Sequence, residues 1–174
     1  MITSTVIASY LKGLRWGYKE INETRVITGH RTAVPFYDYD IIIEIVLSQH
    51  WVNLRAFLQQ QIAPGQRPAI LSLLSHLNTQ CHRARFFMVG DCAVVQTEVP
   101  AAHCSVQTFL EALKTLCRYA SYAGVEVAIL ATNTSVAKLY EIVEATMAPT
   151  LAVPLSGEED FLDQFDISVN RMSD

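Results

Sequence analysis

The pattern of polar and apolar positions is most informative between residues 69 and 123. The first part of this stretch has apolar residues at the spacing of one helix face. Pro68 stands at the first helical position, where its missing N–H costs nothing. Two apolar-rich runs follow, joined by a Gly90-Asp91 turn, and Ser105 is a good N-cap for a second amphipathic helix. The pattern predicts a helix–strand–strand–helix unit with elements at 68–81, 85–89, 92–99 and from 105 onward.

The sequence on either side of this unit predicts further elements. The expected helices cover 3–14 and a stretch from Thr134 or Ser135 to Pro149. The expected strands cover 18–21, 25–29, 39–47 and 51–58, with a short helix as the alternative for 51–58. The strand over 39–47 has the strongest pattern, because β-branched residues fit a pleated surface. Residues 125–131 fit a strand and a helix equally well, so both stay open. We expect one α+β domain over 1–148 and an acidic C-terminal tail over 149–174.

The order of elements and a loose motif connect the chain to a known family. Leu73-Leu-Ser-His-Leu-Asn78 precedes a strand that begins Ala84-Arg-Phe-Phe87, and Val94-Val-Gln-Thr-Glu-Val-Pro100 leads to the helix at Ser105. In these features residues 4–125 resemble the YbjN family, also called bacterial sensory transduction regulators, whose fold is similar to that of type III secretion chaperones. The resemblance implies an α-β-β-β-α-β-β-α domain with an antiparallel sheet packed against helices, here with an extra C-terminal helix. It also implies a homodimer without catalysis, and it transfers no catalytic residue to this chain.

The composition is rich in apolar residues and poor in charge. Hydrophobic residues make up 51% of the chain and charged residues 17%, whereas an average soluble domain has about 25% charged residues. One interpretation is a large, well-packed core. The other is that some apolar surface is left for a protein partner, because one small domain cannot cover every apolar side chain.

The charge balance and the N-terminal residues limit the kind of partner and the compartment. The net charge is −4 and Lys and Arg form no long run, so we expect no binding to nucleic acid, which needs a basic surface. The chain has no stretch of about 18 apolar residues, so we expect no transmembrane helix. The N-terminus lacks the basic region of a signal peptide, which predicts a cytoplasmic protein.

A cluster of cysteine and histidine residues around the predicted hairpin is the best sequence case for a chemical site. Cys81-His82, Cys92 and His103-Cys104 could meet at the hairpin ends, and thiolate and imidazole are suitable zinc ligands. The alternative is that they are helix-end and loop residues, since the side chains of adjacent residues point apart. No common catalytic or nucleotide-binding motif is present. We therefore assign no catalytic, cofactor-binding or metal-binding residue, and we expect no cofactor.

Aromatic residues suggest a protein-binding surface. They crowd the N-terminal third, and aromatic side chains are enriched in interface hot spots, although they could equally line the core. We expect Trp51 to be partly exposed, because His50 and Asn53 beside it are polar. The candidate interaction residues are Trp16, Tyr37, Tyr39, Trp51 and Phe57, with Phe161 and Phe165 of the tail, which could dock on this or a neighbouring subunit.

These observations favour a non-enzymatic, cytosolic protein-interaction or chaperone-like regulatory module that acts as a homodimer with an unidentified protein partner. Two alternatives stay open. One is a small-molecule-sensing regulatory domain with a pocket between sheet and helices. The other is a metal protein or enzyme that uses the cysteine and histidine residues.

Overall fold

Three helices and six strands make up the part of the chain that the structure, a computed structural model, describes. It describes residues 2–34, 37–59 and 61–131, and at 30–34, 37–39 and 59 it describes the backbone alone. The elements in chain order are α1 (Ser4–Gly13), β1 (Tyr18–Asn22), β2 (Arg25–Val34), β3 (Tyr37–Leu47), β4 (Trp51–Gln59), α2 (Arg67–Gln80), β5 (Arg85–Val89), β6 (Cys92–Pro100) and α3 (Val106–Ala131). Short 3-10 turns at Pro64–Gln66 and Ala101–His103 precede α2 and α3.

The predicted α+β class is confirmed, with an antiparallel sheet packed against helices. The resemblance implied three strands before α2, whereas the chain has four, as its own alternation of polar and apolar residues predicts. The extra C-terminal helix expected from residue 134 or 135, and the acidic tail over 149–174, lie outside the described residues. No helix in the described ranges is long and apolar enough to cross a membrane.

The six strands form one sheet in the order β1-β2-β3-β4-β6-β5, and all neighbours are antiparallel. Because side chains of a strand alternate between faces, the sheet has two distinct surfaces. One face is covered: α1 packs on β1 and β2, α3 on β4 and β6, and α2 on β5. Its buried residues include Ile43, Ile45, Leu54, Phe86 and Val95.

The long helix α3 supplies the other half of this core. Phe109, Leu113 and Leu116 recur at helical spacing and are at most 1% exposed. The helix begins where predicted, because the Ser105 hydroxyl accepts a hydrogen bond from the Thr108 N–H at 3.2 Å.

The open alternative for residues 125–131 resolves to helix, since α3 continues without a break to Ala131. The apolar spacing of the first turns continues at Ala120, Ala123 and Val127, and all three are fully buried. Continued packing against the sheet outweighs the low helix propensity of Gly124, which costs about 1 kcal/mol relative to alanine.

Two side chains of α2 fasten the β5–β6 hairpin to the helix layer. The Asn78 side chain accepts a hydrogen bond from the Phe86 N–H and donates one to the Phe86 carbonyl, both at 2.8 Å. At the other end, the Arg67 guanidinium donates to the Asp91 carboxylate at 3.0 Å and to the Gly90 carbonyl at 2.9 Å. Gly90 adopts a φ of +59°, so the predicted Gly-Asp turn uses the conformational freedom of glycine.

Candidate functional site

The face of the sheet opposite the helices, called here the open face, carries a row of apolar side chains. Ile42 of β3 pairs with Phe57 of β4, Phe57 pairs with Val94 of β6, and Val94 pairs with Phe87 of β5. Directly opposed residues in antiparallel strands lie about 4.5–5.5 Å apart, so these four side chains form a continuous line across four strands. Val94 is fully buried between its two aromatic neighbours, and the other three are half-buried.

A chain of polar side chains runs beside the apolar row. Glu44 pairs with the Arg25 guanidinium at 2.5 Å and lies 3.9 Å from the Arg55 guanidinium. Arg55 donates a hydrogen bond to the Gln96 side-chain oxygen at 2.6 Å, and Gln96 donates to the Glu98 carboxylate at 2.6 Å. Glu44 is only 7% exposed, and a buried charge needs a partner, which the two guanidinium groups provide. These residues therefore have partners within the face and do not require an external one.

A groove of about 600 Å³ opens at one end of the open face, where β5 begins. Strand β6 pairs with β4 as far as Pro100, but its pairing with β5 ends at Arg85 opposite Gln96. The last residues of β6 therefore have no β5 neighbour, and the connection from α2 to β5 borders the gap. We call this the Trp51 groove, lined by Trp51, Asn78, Cys81, His82, Arg83, Ala84, Arg85, Phe86, Phe87, Gln96 and Glu98.

The Trp51 groove combines an exposed ring with uncompensated positive charge. Trp51 is 44% exposed, although it lies on a strand. Arg83 and Arg85 are exposed, and neither forms an ion pair or a hydrogen bond through its side chain with another residue in the described ranges. Among the described residues of the lining, Glu98 alone is acidic, and Gln96 already holds it. The groove thus presents two free guanidinium groups beside an aromatic surface.

The residues predicted as an interaction surface do not all lie together. Trp51 and Phe57 are six residues apart on β4 and share the open face, and the expected partial exposure of Trp51 is confirmed. Trp16 follows α1 and is half-buried against the core on the helix side. The backbone at Tyr37 and Tyr39 belongs to the β2–β3 hairpin, beyond the last β3–β4 pair. Phe161 and Phe165 lie outside the described residues.

Sequence reasoning missed Arg83, Arg85 and Phe87 as parts of a surface. It predicted two apolar-rich strands for the hairpin and gave no function to the arginines at its start. The available signal was alternation: Arg85 and Phe87 lie on the open face, whereas Phe86 between them is buried in the core. What no local pattern contains is the pairing of β6 with β4, which brings these residues to Trp51.

The cysteine and histidine residues are spread over several environments. Burial raises the pKa of the Cys81 thiol, and a hydrogen bond with Tyr119 lowers it in part. Burial also raises the pKa of Cys104, and it raises the pKa of Cys117 in the core to about 12. Thiols with raised pKa values are poor nucleophiles and poor metal ligands at neutral pH. Within the ranges that the structure covers, no group of three or more His, Cys, Asp or Glu side chains could hold a metal ion.

Comparison with known proteins gives one family and one solved structure. Residues 40–129, from β3 to near the end of α3 and just over half of the chain, match the family TY-Chap1, described as T3SS (YopN, CesT) and YbjN peptide-binding chaperone 1. The crystal structure of YbjN from E. coli is similar, with a TM-score of 0.49 and 13% sequence identity. The similarity covers 82% of this chain and 90% of that chain. No curated protein matches the chain.

Proposed function

We propose that this chain, which belongs to the TY-Chap1 family of T3SS and YbjN peptide-binding chaperones, binds segments of other proteins on the open face of its sheet. The observation that carries the proposal is the apolar row of the open face, which no helix of the described chain covers. The exposed ring of Trp51 lies on the same face, beyond the polar pair of Arg55 and Gln96. The matched residues include every member of that row.

The open face suits an extended segment for two physical reasons. Its apolar row offers half-buried aromatic rings, which bury large area at low entropic cost when a partner covers them. The polar side chains of the open face are paired with one another, so a partner can lie over them without leaving buried charges unpaired. A shallow surface of this kind binds side chains presented by an unfolded or extended chain.

The finer parts of the proposal concern mechanism, assembly and compartment. We take the protein to act without catalysis, as a homodimer, in the cytoplasm. Exposed apolar side chains at Ile21 of β1 and Val106 of α3 favour burial against a second copy. Light scattering tests this part: a dimer has twice the 19.4 kDa chain mass, and a monomer at micromolar concentration would contradict it.

Peptide binding can be tested directly by fluorescence anisotropy. A library of fluorescein-labelled 12-residue peptides, including apolar, acidic and basic sequences, is titrated with the full chain. Trp51→Ala and Phe57→Ala should each weaken the best peptides about tenfold, which is the size of a hot-spot loss. Leu71→Ala removes a side chain of 48% exposure from the helix layer, so it is a matched control and should leave the affinity unchanged.

The outcome against the proposal is equally defined. If no peptide binds, or if all three variants bind alike while circular dichroism shows that they are folded, the open face is not a peptide site.

A small-molecule-sensing domain is the second candidate, because the Trp51 groove lies within the range of about 300–1,000 Å³ that is typical of ligand pockets. A thermal-shift screen with a metabolite library tests it, and a hit that Trp51→Ala abolishes would favour sensing over peptide binding.

A further inference from the structure

We propose that the Trp51 groove selects an acidic side chain, so that the preferred partner is a peptide segment with an aspartate or glutamate two positions from an apolar residue. This inference rests on the proposed peptide-binding function and adds the class of peptide. Its physical basis is the juxtaposition of Arg83 and Arg85 with the exposed ring of Trp51.

The first argument is charge complementarity. The whole chain has a net charge of −4, yet the groove lining contains two arginines and one glutamate. Two other arginines of the open face, Arg25 and Arg55, are held by Glu44 and Gln96. Arg83 and Arg85 have no such partner among the described residues, so a carboxylate entering the groove meets two available guanidinium groups. Guanidinium binds carboxylate through paired, charge-assisted hydrogen bonds.

The second argument explains why the acidic group should be a single side chain and not a polyanion. Glu98 lies in the same lining, and its carboxylate repels a second negative charge close by. A nucleic-acid strand brings a phosphate at every nucleotide, and the negative net charge of the protein opposes its approach. One carboxylate can contact the arginines while its neighbours along the peptide stay away from Glu98.

The third argument concerns the apolar part of the preference. Trp51 and Phe87 both line the groove, and Phe87 ends the apolar row of the open face. Side chains next to each other in an extended peptide point to opposite sides, whereas side chains two positions apart point the same way. A peptide lying on this face should therefore present its acidic residue and an apolar residue two positions apart.

The experiment uses peptide variants and protein variants together. The best binder from the library is remade as fluorescein-labelled versions with Glu, Gln or Lys at the position of its acidic residue. Wild-type protein should bind the Glu version about five- to tenfold more tightly than the Gln version, as expected for partly exposed charge pairs. The double variant Arg83→Gln, Arg85→Gln should lose that preference and bind the Glu and Gln versions equally.

Two further variants and an ionic-strength series sharpen the test. Lys12→Gln removes an exposed positive charge from α1, outside the groove, and should leave the preference unchanged. Glu98→Gln removes the repelling carboxylate and should strengthen binding of the Glu version about two- to threefold. Raising NaCl from about 0.05 to 0.5 M should reduce the Glu-over-Gln preference, because salt screens exposed charges.

The failures of the two proposals are distinguishable. If peptides bind with full dependence on Trp51 and Phe57 but the Glu, Gln and Lys versions are equal, the acidic selection is wrong and the peptide site stands. If no peptide binds, the proposed function itself is wrong. If a labelled dT12 oligonucleotide binds with the same dependence on Arg83 and Arg85 while peptides do not, the groove is an anion site of another class and the inference is overturned.

Discussion

Replacing Asn78 by alanine tests how the edge strand β5 is held against the helix layer. The Asn78 side chain forms two hydrogen bonds of 2.8 Å to the N–H and carbonyl of Phe86, as a neighbouring strand would. In Asn78→Ala both backbone groups of Phe86 lose their partner, next to a side chain that is only 3% exposed.

The expected loss follows from the number and the environment of these bonds. Each contributes about 0.5–1.5 kcal/mol net, so removal of both costs about 2 kcal/mol. Alanine has a higher helix propensity than asparagine, which returns about 0.5 kcal/mol. A net loss of about 1.5 kcal/mol lowers the Tm of a chain of this size by about 3–6 °C.

Differential scanning calorimetry of Asn78→Ala and of Thr79→Ala measures this effect. Thr79 is the next residue of α2, is exposed, and its hydroxyl bonds only within the helix, to the His76 carbonyl. Thr79→Ala should therefore change the Tm by no more than about 1–2 °C, as expected for a surface substitution. Equal Tm values for the two variants would refute the reasoning, because they would show that water replaces the Asn78 amide without cost.

Three further predictions concern the helix layer. Phe109→Ala should lower the free energy of unfolding by about 3–5 kcal/mol in urea titrations, since the ring is fully buried; a loss below 1 kcal/mol would contradict the packing. Burial raises the pKa of Glu126 above its ordinary value of 4.5, and this effect outweighs the Tyr122 hydrogen bond and the His76 charge, which lower the pKa. The folded state therefore loses stability as the pH rises above 4.5 and the carboxyl group ionises. Glu126→Gln should raise the Tm at pH 7 but not at pH 4. Burial raises the pKa of Cys117 to about 12, so a thiol reagent at pH 8 should label it only after unfolding; labelling of native protein would contradict its burial.

Local patterns predicted the elements well because each depends on residues close in sequence. The alternation around Gly90-Asp91 was enough to predict the β5–β6 hairpin, and the hydroxyl of Ser105 was enough to predict the start of α3. The stretch after Gly124 stayed ambiguous, because short apolar runs fit both periods and only packing on the sheet decides between them.

The candidate site depended on contacts that no local pattern contains. Trp51 was recognised from its polar neighbours, but its position beside Arg85 requires that β4 pairs with β6, more than 40 residues later in the chain. The charge pattern of 82–85 looks like an ordinary solvated turn until the unequal lengths of β5 and β6 open a gap beside it. The sequence therefore indicated which residues were unusual, and the sheet order decided which of them meet.

The two outer strands of the sheet bear on how a peptide could bind. An outer strand can add a foreign strand through its free backbone groups, and proteins oppose this with charged side chains or by covering the edge. On β1, Lys19 and Glu20 are exposed, and on β5 the Asn78 side chain occupies the outward backbone groups of Phe86. Backbone pairing along these two edges is thus discouraged. The proposed peptide recognition then depends on side-chain contacts with the open face, which is why we expect selectivity to lie in Trp51, Phe57 and the groove arginines.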